Sequence, residues 1–278
     1  MDYKIVVASS CDFDEKYGRE IHHSKVPFTI NIDGADYVDD ESFTGEKIIR
    51  KMKESINAIK TACPSPNEFL EKYKGDENIF VVTISSKLSG TYNSAMTAKK
   101  MYMEQFEDKA IHVFDSLTAA IGETMIAIKI KELIDEGNGV KDIVSKVEQY
   151  ISELKTIFVL DSLDNLMKNG RLSKLKGRFA QFLHIKPILS EDGNGEIKMI
   201  DQSRGSKGAL KKLVDQIEKQ GVVSENKKLG IAHCNALERA LYVKKLIEEK
   251  YNFKEIIITE TNGLSAVYAD EGGIIIAY

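Results

Sequence analysis

The sequence predicts an α/β protein in two units, a parallel-sheet α/β domain over residues 1–155 and a mixed-sheet α/β domain over residues 156–278. Three observations carry this. Strand-like apolar runs alternate with helical segments through the first half, the pattern of a parallel sheet with crossover helices. After Leu154 the texture changes, and KPILSEDGNGEIKMID reads as two strands joined by a polar turn, which requires an antiparallel pair. The 278 residues are 42% hydrophobic and 29% charged, enough apolar material for one large core or two modest ones.

Taken in order, YKIVVA (Tyr3–Ala8) reads as a buried strand and KVPFTINID as one further strand that turns at Gly34. Thr44 is placed to cap GEKIIRKMKES, whose Ile48, Ile49 and Met52 share a helical face. In TACPSPNEF, Pro64 and Pro66 impose an extended path before Asn67 starts a short helix. IFVVTI and AIHVFD are strands, followed by the long helices LTAAIGETMIAIKIKELIDEG and VKDIVSKVEQYISEL. The second unit opens with the strand TIFVLDS and a turn at Asn169-Gly170. KKLGIAHCN with ALERALYVKKLIEEKY, then KEIIITET and GGIIIAY, complete it.

Composition excludes several classes. The net charge of −4 offers no basic surface, so no nucleic acid partner is expected. Cys11, Cys63 and Cys234 have neither zinc spacing nor the even number of a disulfide framework. MDYKIVVASS is too short an apolar run for a signal peptide, and no run approaches the roughly 20 apolar residues of a spanning helix. A cytoplasmic protein without an integral membrane segment is the expectation. Dinucleotide, Walker, nucleophile-elbow and HExxH signatures are missing.

What remains is a set of hydroxyl-rich strand ends. SSKLSGTYNSA, Ser85 to Ala95, follows a strand and opens a helix, where unpaired N–H groups and the helix dipole favour an anion. Ser89 and Thr91 add hydroxyl donors, and Gly90 lets a ligand approach the backbone. TACPSP offers Thr61 and Ser65, and Asp115-Ser116 a third strand end. Ligands of open α/β sheets bind at this edge, so a small oxyanion site is expected there. A helix cap at Ser89 or Thr91 explains the same residues, and a phosphate, a carboxylate or a scissile bond would each suit the donors.

TACPSP, SSKLSGTYNSA, Asp115-Ser116, LDNLMKNGRLSKLKG, KPIL and SRGSKGA, in this order and spacing along the chain, resemble the DegV family. The resemblance implies a two-domain DegV-like fold holding a long-chain fatty acid, without a cofactor and without catalysis of its own. It implies that Thr61 and Ser89 hold the carboxylate, with the Gly90 backbone beside them. Some members resemble the binding subunit of bacterial fatty acid kinase, whose separate ATP-dependent kinase subunit phosphorylates the bound acid. Tyr268 stands where the family often has histidine, and can donate a hydrogen bond to the carboxylate. Asp270-Glu271 replace the usual Gly-Pro, Ala62-Cys63 the usual Ser-Gln, and ASSCD the usual DST-like strand end. Arg171 and Arg204 are candidates for a partner or head-group contact. LTAAIGETMIAI and RFAQFLHI are candidates for aliphatic lining. Burying about 14 methylenes at ~0.8 kcal/mol each supplies roughly 11 kcal/mol before ordering costs. The alternatives are a hydrolase or transferase with Ser89 as nucleophile, and a regulatory protein holding another small anion.

Overall fold

The computed structural model describes residues 2–40, 42–106, 109–172, 185–221 and 224–278. Its first segment runs β1 (Tyr3–Ala8), α1 (Glu15–Glu20), β2 (His23–Val26), β3 (Thr29–Ile32), β4 (Ala35–Val38), α2 (Gly45–Glu54), β5 (Lys60–Ala62), α3 (Pro66–Lys72), β6 (Asn78–Thr83), α4 (Thr91–Met103) and β7 (Ile111–Asp115). Helices α5 (Ile121–Asp135) and α6 (Val140–Glu153) follow. The remainder is β8 (Thr156–Val159), α7 (Asp164–Lys168), β9 (Ile185–Glu191), β10 (Ile197–Arg204), α8 (Ser206–Lys219), β11 (Lys228–His233), α9 (Leu237–Glu248), β12 (Glu255–Glu260), α10 (Gly263–Ala269) and β13 (Ile274–Ala277).

The described residues form three sheets. One is parallel throughout, in the order β2-β1-β6-β7, and a small antiparallel sheet runs β4-β3-β5. The third is mixed, in the order β10-β9-β8-β13-β11-β12, with β11 and β12 parallel and the other pairs antiparallel. Strands β1 and β6 are nearly continuous apolar runs because both faces of the parallel sheet are covered. Helix α5 is buried all round over residues 121–128 because it lies between sheets, packed on β1 and β6 and also on β11 and β13.

Two local expectations are corrected. KVPFTINID is two strands in different sheets: β2 pairs with β1, and β3 pairs with β4 and β5. The change falls at Pro27, which has no N–H for a ladder, and the Phe28 N–H donates instead to Ser9 Oγ at 3.0 Å. The cap of α3 is Ser65, not Asn67. Ser65 Oγ accepts from Glu68 N–H, the Glu68 carboxylate accepts from Ser65 N–H, and Pro66 takes the first helical position. Thr44 does precede α2, but the Gly45 N–H donates to Asn262 Oδ1 at 3.1 Å, and Thr44 makes no side-chain cap bond.

Candidate functional site

The carboxyl ends of β1, β6 and β7 face the mixed sheet across a cavity of about 870 Å³ of empty space, its mouth included. Phe28, Ile84, Leu88, Leu117, Phe158, Leu160, Leu166, Ile197, Leu264 and Ile275 give it an apolar wall. Polar residues of that wall are mostly satisfied among themselves. Thr118 Oγ1 and Thr156 Oγ1 pair at 2.7 Å, Ser10 Oγ donates to Glu123 at 2.9 Å, and Ser265 Oγ donates to Ser10 O at 3.1 Å. The stretch LTAAIGETMIAI contributes Leu117 to Ala120, whereas Ile121, Met125, Ile126 and Ile128 belong to the protein core. RFAQFLHI, apart from Ile185, lies outside the described residues.

A run of contacts joins four of the residues singled out in the sequence. Thr61 on β5 pairs with Tyr268 on α10, Oγ1 to Oη at 2.8 Å. The Arg171 guanidinium stands 5.4 Å from the centre of the Tyr268 ring, within cation–π range. Arg171 Nε donates to Leu88 O at 3.1 Å, beside Ser89, and Nη1 donates to Asn169 O at 2.9 Å. Arg171 therefore braces its own turn and ties that turn to the SSKLSG segment. Ser89 Oγ pairs with Thr91 Oγ1 at 2.8 Å and lies 3.4 Å from the Thr91 N–H. Thr61, Ser89, Arg171 and Tyr268 all line the cavity.

Gly90 is the N-cap of α4, and it has an exposed backbone outside the cavity lining. A Cβ at this position would come within 3.3 Å of Cys63 Sγ, so the TACPSP loop and the α4 start are in close approach. Arg204 does not join the group: it is exposed at the end of β10, opposite Ile185. The other strand-end hydroxyls are engaged in bracing. Ser85 Oγ donates to Gly195 O at 2.8 Å, closing the β9–β10 turn against the cavity, and Ser116 Oγ donates to Thr118 O at 3.2 Å. Of the acidic departures at 270–271, Glu271 pairs with Lys53 at 2.5 Å and accepts from Asn235 at 2.8 Å, and Asp270 Oδ1 accepts the Glu271 N–H at 2.7 Å. His233 Nδ1 accepts the Ala236 N–H at 3.3 Å, a structural role.

Sequence reasoning missed the acids behind the cavity wall. Burial pushes the Asp12 carboxyl up to about 7 and that of Asp39 up to about 6, and it raises Glu123 well above the usual carboxylate range. Glu123 accepts from the Ala120 N–H at 3.1 Å as well as from Ser10.

Fold and cavity together define an α/β protein with a predominantly apolar chamber lined at one end by the Thr61, Ser89 and Tyr268 hydroxyls and the Arg171 guanidinium. The family model described as an uncharacterised protein of the DegV family matches residues 2–278. A DegV domain-containing protein of Streptococcus pneumoniae is 35% identical over 280 residues, covering 100% of this chain and 99% of the relative. The chain belongs to the DegV family. Among solved structures, a DegV-family protein of Ruminococcus gnavus, with vaccenic acid, superposes at a TM-score of 0.96 and 41% identity, covering 100% and 99% of the two chains. The fatty acid kinase B3 protein of Streptococcus pneumoniae, loaded with linoleic acid, gives 0.91 at 34% identity, covering 100% and 99%. A DegV-family protein of Eubacterium eligens, loaded with heptadecanoic acid, gives 0.90 at 31% identity, covering 99% and 98%.

Proposed function

We propose that this protein binds a long-chain fatty acid, its alkyl chain in the cavity and its carboxylate held by the Thr61 and Ser89 hydroxyls, with Tyr268 and Arg171 beside them. The observation that carries the reading is the convergence of these four residues on a predominantly apolar chamber. A carboxylate buried without donors would cost several kcal/mol, and two hydroxyls beside a guanidinium supply donors and charge. Relatives solved with three different fatty acids support the same ligand class. The division near residue 155 belongs to this proposal, with the cavity between the two units: strands β1 to β7 precede it and β8 to β13 follow it.

Extraction of the denatured protein followed by mass spectrometry tests the reading. Acyl chains, or uptake of added oleate, are expected; their repeated absence would overturn it. Ser89→Ala and Thr61→Val are each expected to weaken oleate binding about tenfold, the loss of one hydrogen bond to a charged group.

The likeness to a fatty acid kinase B3 protein extends the proposal to a partner. The loaded protein would present the carboxylate to a separate ATP-dependent kinase in the cytoplasm, with exposed Arg204 available for that contact. Pull-down of an ATP-hydrolysing partner from a cell extract, weakened by Arg204→Ala, checks this step. The Ser89-nucleophile alternative is less well supported, because Ser89 Oγ is paired with Thr91 and makes no hydrogen bond to a histidine among the described residues.

A further inference from the structure

Helix α10 carries Tyr268, and its first turn is held by side chains from the opposite end of the sequence. Asp12 Oδ1 accepts the Asn262 N–H at 3.0 Å. Asp39 Oδ2 accepts the Leu264 N–H at 2.9 Å and the Ser9 hydroxyl at 2.6 Å. Both carboxyl groups are buried, 2% and 5% exposed, so their acceptors are not interchangeable with water. Between these bonds sits Gly263, at φ +49, and a Cβ there would overlap the Asp39 carboxylate. The backbone of α10 is thus pressed directly onto Asp39. At the other end of the helix, Asn165 Nδ2 donates to Val267 O at 2.8 Å, and Tyr268 reaches Thr61.

We propose that Asp12 and Asp39 are positioning residues for the head end of the cavity: they fix the start of α10 and, through it, the Tyr268 hydroxyl against Thr61. The proposal rests on the fatty-acid reading above, because it assigns these acids a part in recognising the carboxylate. Neither acid lines the cavity, so neither needs to touch the ligand. Their effect is to place a hydroxyl that does. Tyr268 is the sixth residue of this seven-residue helix, and a short helix pivots little once the N–H groups at its start are bonded.

The test compares oleic acid with oleyl alcohol, measured by displacement of a fluorescent fatty-acid analogue. Asp39→Ala is expected to weaken oleic acid about tenfold, the scale of one misplaced hydrogen bond to a charged group, and to leave the alcohol within about threefold. Asp39→Asn keeps an acceptor oxygen and is expected to restore most of the loss. In the double variant Asp39→Ala/Tyr268→Phe, the loss should not exceed that of Tyr268→Phe alone, since both changes remove one placement. Equal weakening of acid and alcohol, or additive losses, would overturn the proposal. If Asp39→Ala does not fold, Asp12→Ala carries the same readouts. Should the wild type bind neither probe, the fatty-acid reading fails by itself. Amide exchange in the ligand-free protein then decides the placement: faster exchange confined to α10 in the variant supports it, and unchanged exchange overturns it.

Discussion

At α10 the early and late parts of the chain meet through buried carboxyl groups, whereas at β12 they meet through an ion-pair network open to water. In the first seam, Asp12 and Asp39 accept backbone N–H groups of residues 262 and 264. In the second, Glu255 accepts from Lys16 at 2.8 Å and from the Tyr17 hydroxyl at 2.8 Å, and Lys228 reaches Tyr17, Glu132 and Glu255 at 2.8, 2.9 and 3.0 Å. Their ionisation is perturbed in opposite directions. Burial raises the carboxyls of Asp12 and Asp39, and the field of Lys25, which acts on both, does not offset it. At Glu255 burial also opposes the charge, but hydrogen bonds from Lys16, Lys228 and Tyr17 bring the carboxyl down to about 2. The difference teaches that the seam beside the cavity keeps groups that cost stability at neutral pH in return for a fixed geometry. The remote seam uses groups that favour folding.

Breaking the first seam should have the largest effect. Gly263→Ala would place a methyl group on the Asp39 carboxylate in a left-handed backbone conformation. Overpacking and the strained φ together are expected to cost about 3 kcal/mol in chemical denaturation. The pH dependence of the same seam follows from the raised carboxyls. Asp12 keeps its proton in the folded protein at a pH where the unfolded chain has lost it, so folding takes up protons. Its stabilising contribution is complete below about pH 4 and is lost as pH rises through about 7. Asp12→Asn cannot titrate and keeps an acceptor for the Asn262 N–H. Between pH 5 and pH 8 the wild type is expected to lose about 2 kcal/mol more than this variant, and parallel denaturation curves would refute the assignment.

The two seams also differ in how far the sequence discloses them and the site beside them. The hydroxyl-rich strand ends around Thr61 and Ser89 were legible because prolines, a glycine and clustered hydroxyls mark strand-to-helix transitions locally, but only the family resemblance singled out these two among Ser65, Ser85, Ser86 and Thr91. Tyr268 and Arg171 were reached through family resemblance, and their meeting across the cavity is a tertiary fact. Asp39 could not be told from Asp40 by neighbours in DYVDDES, yet Asp39 is buried and Asp40 is exposed. Asp39 accepts the N–H of Leu264, 225 residues away, and no local pattern carries that information. The single strand expected at KVPFTINID failed for a related reason: strand-forming residues lie on both sides of Pro27, and only pairing partners elsewhere show that the chain changes sheets there. Alternating strands and helices were readable because they depend on local periodicity, whereas the small antiparallel sheet depends on β5, a strand of three residues.

The smallest effect is expected at the second seam. Glu255 is 30% exposed at its side chain and Lys16 51%, so water screens much of their attraction. Glu255→Gln keeps the volume and removes the charge, and it is expected to cost about 1 kcal/mol at pH 7 in low salt, less in 0.5 M salt. Because the folded carboxyl lies below its unfolded value, the contribution is present above about pH 4.5 and disappears as pH falls toward 2. The wild type and Glu255→Gln should therefore converge in acid, where Asp12→Asn loses the advantage it gains at high pH. Oleate affinity is the sharpest discriminator between the seams. Glu255→Gln leaves α10 and Tyr268 untouched and should bind as the wild type does. A tenfold loss there would mean that the seams act together and that the cavity end is not set by α10 alone.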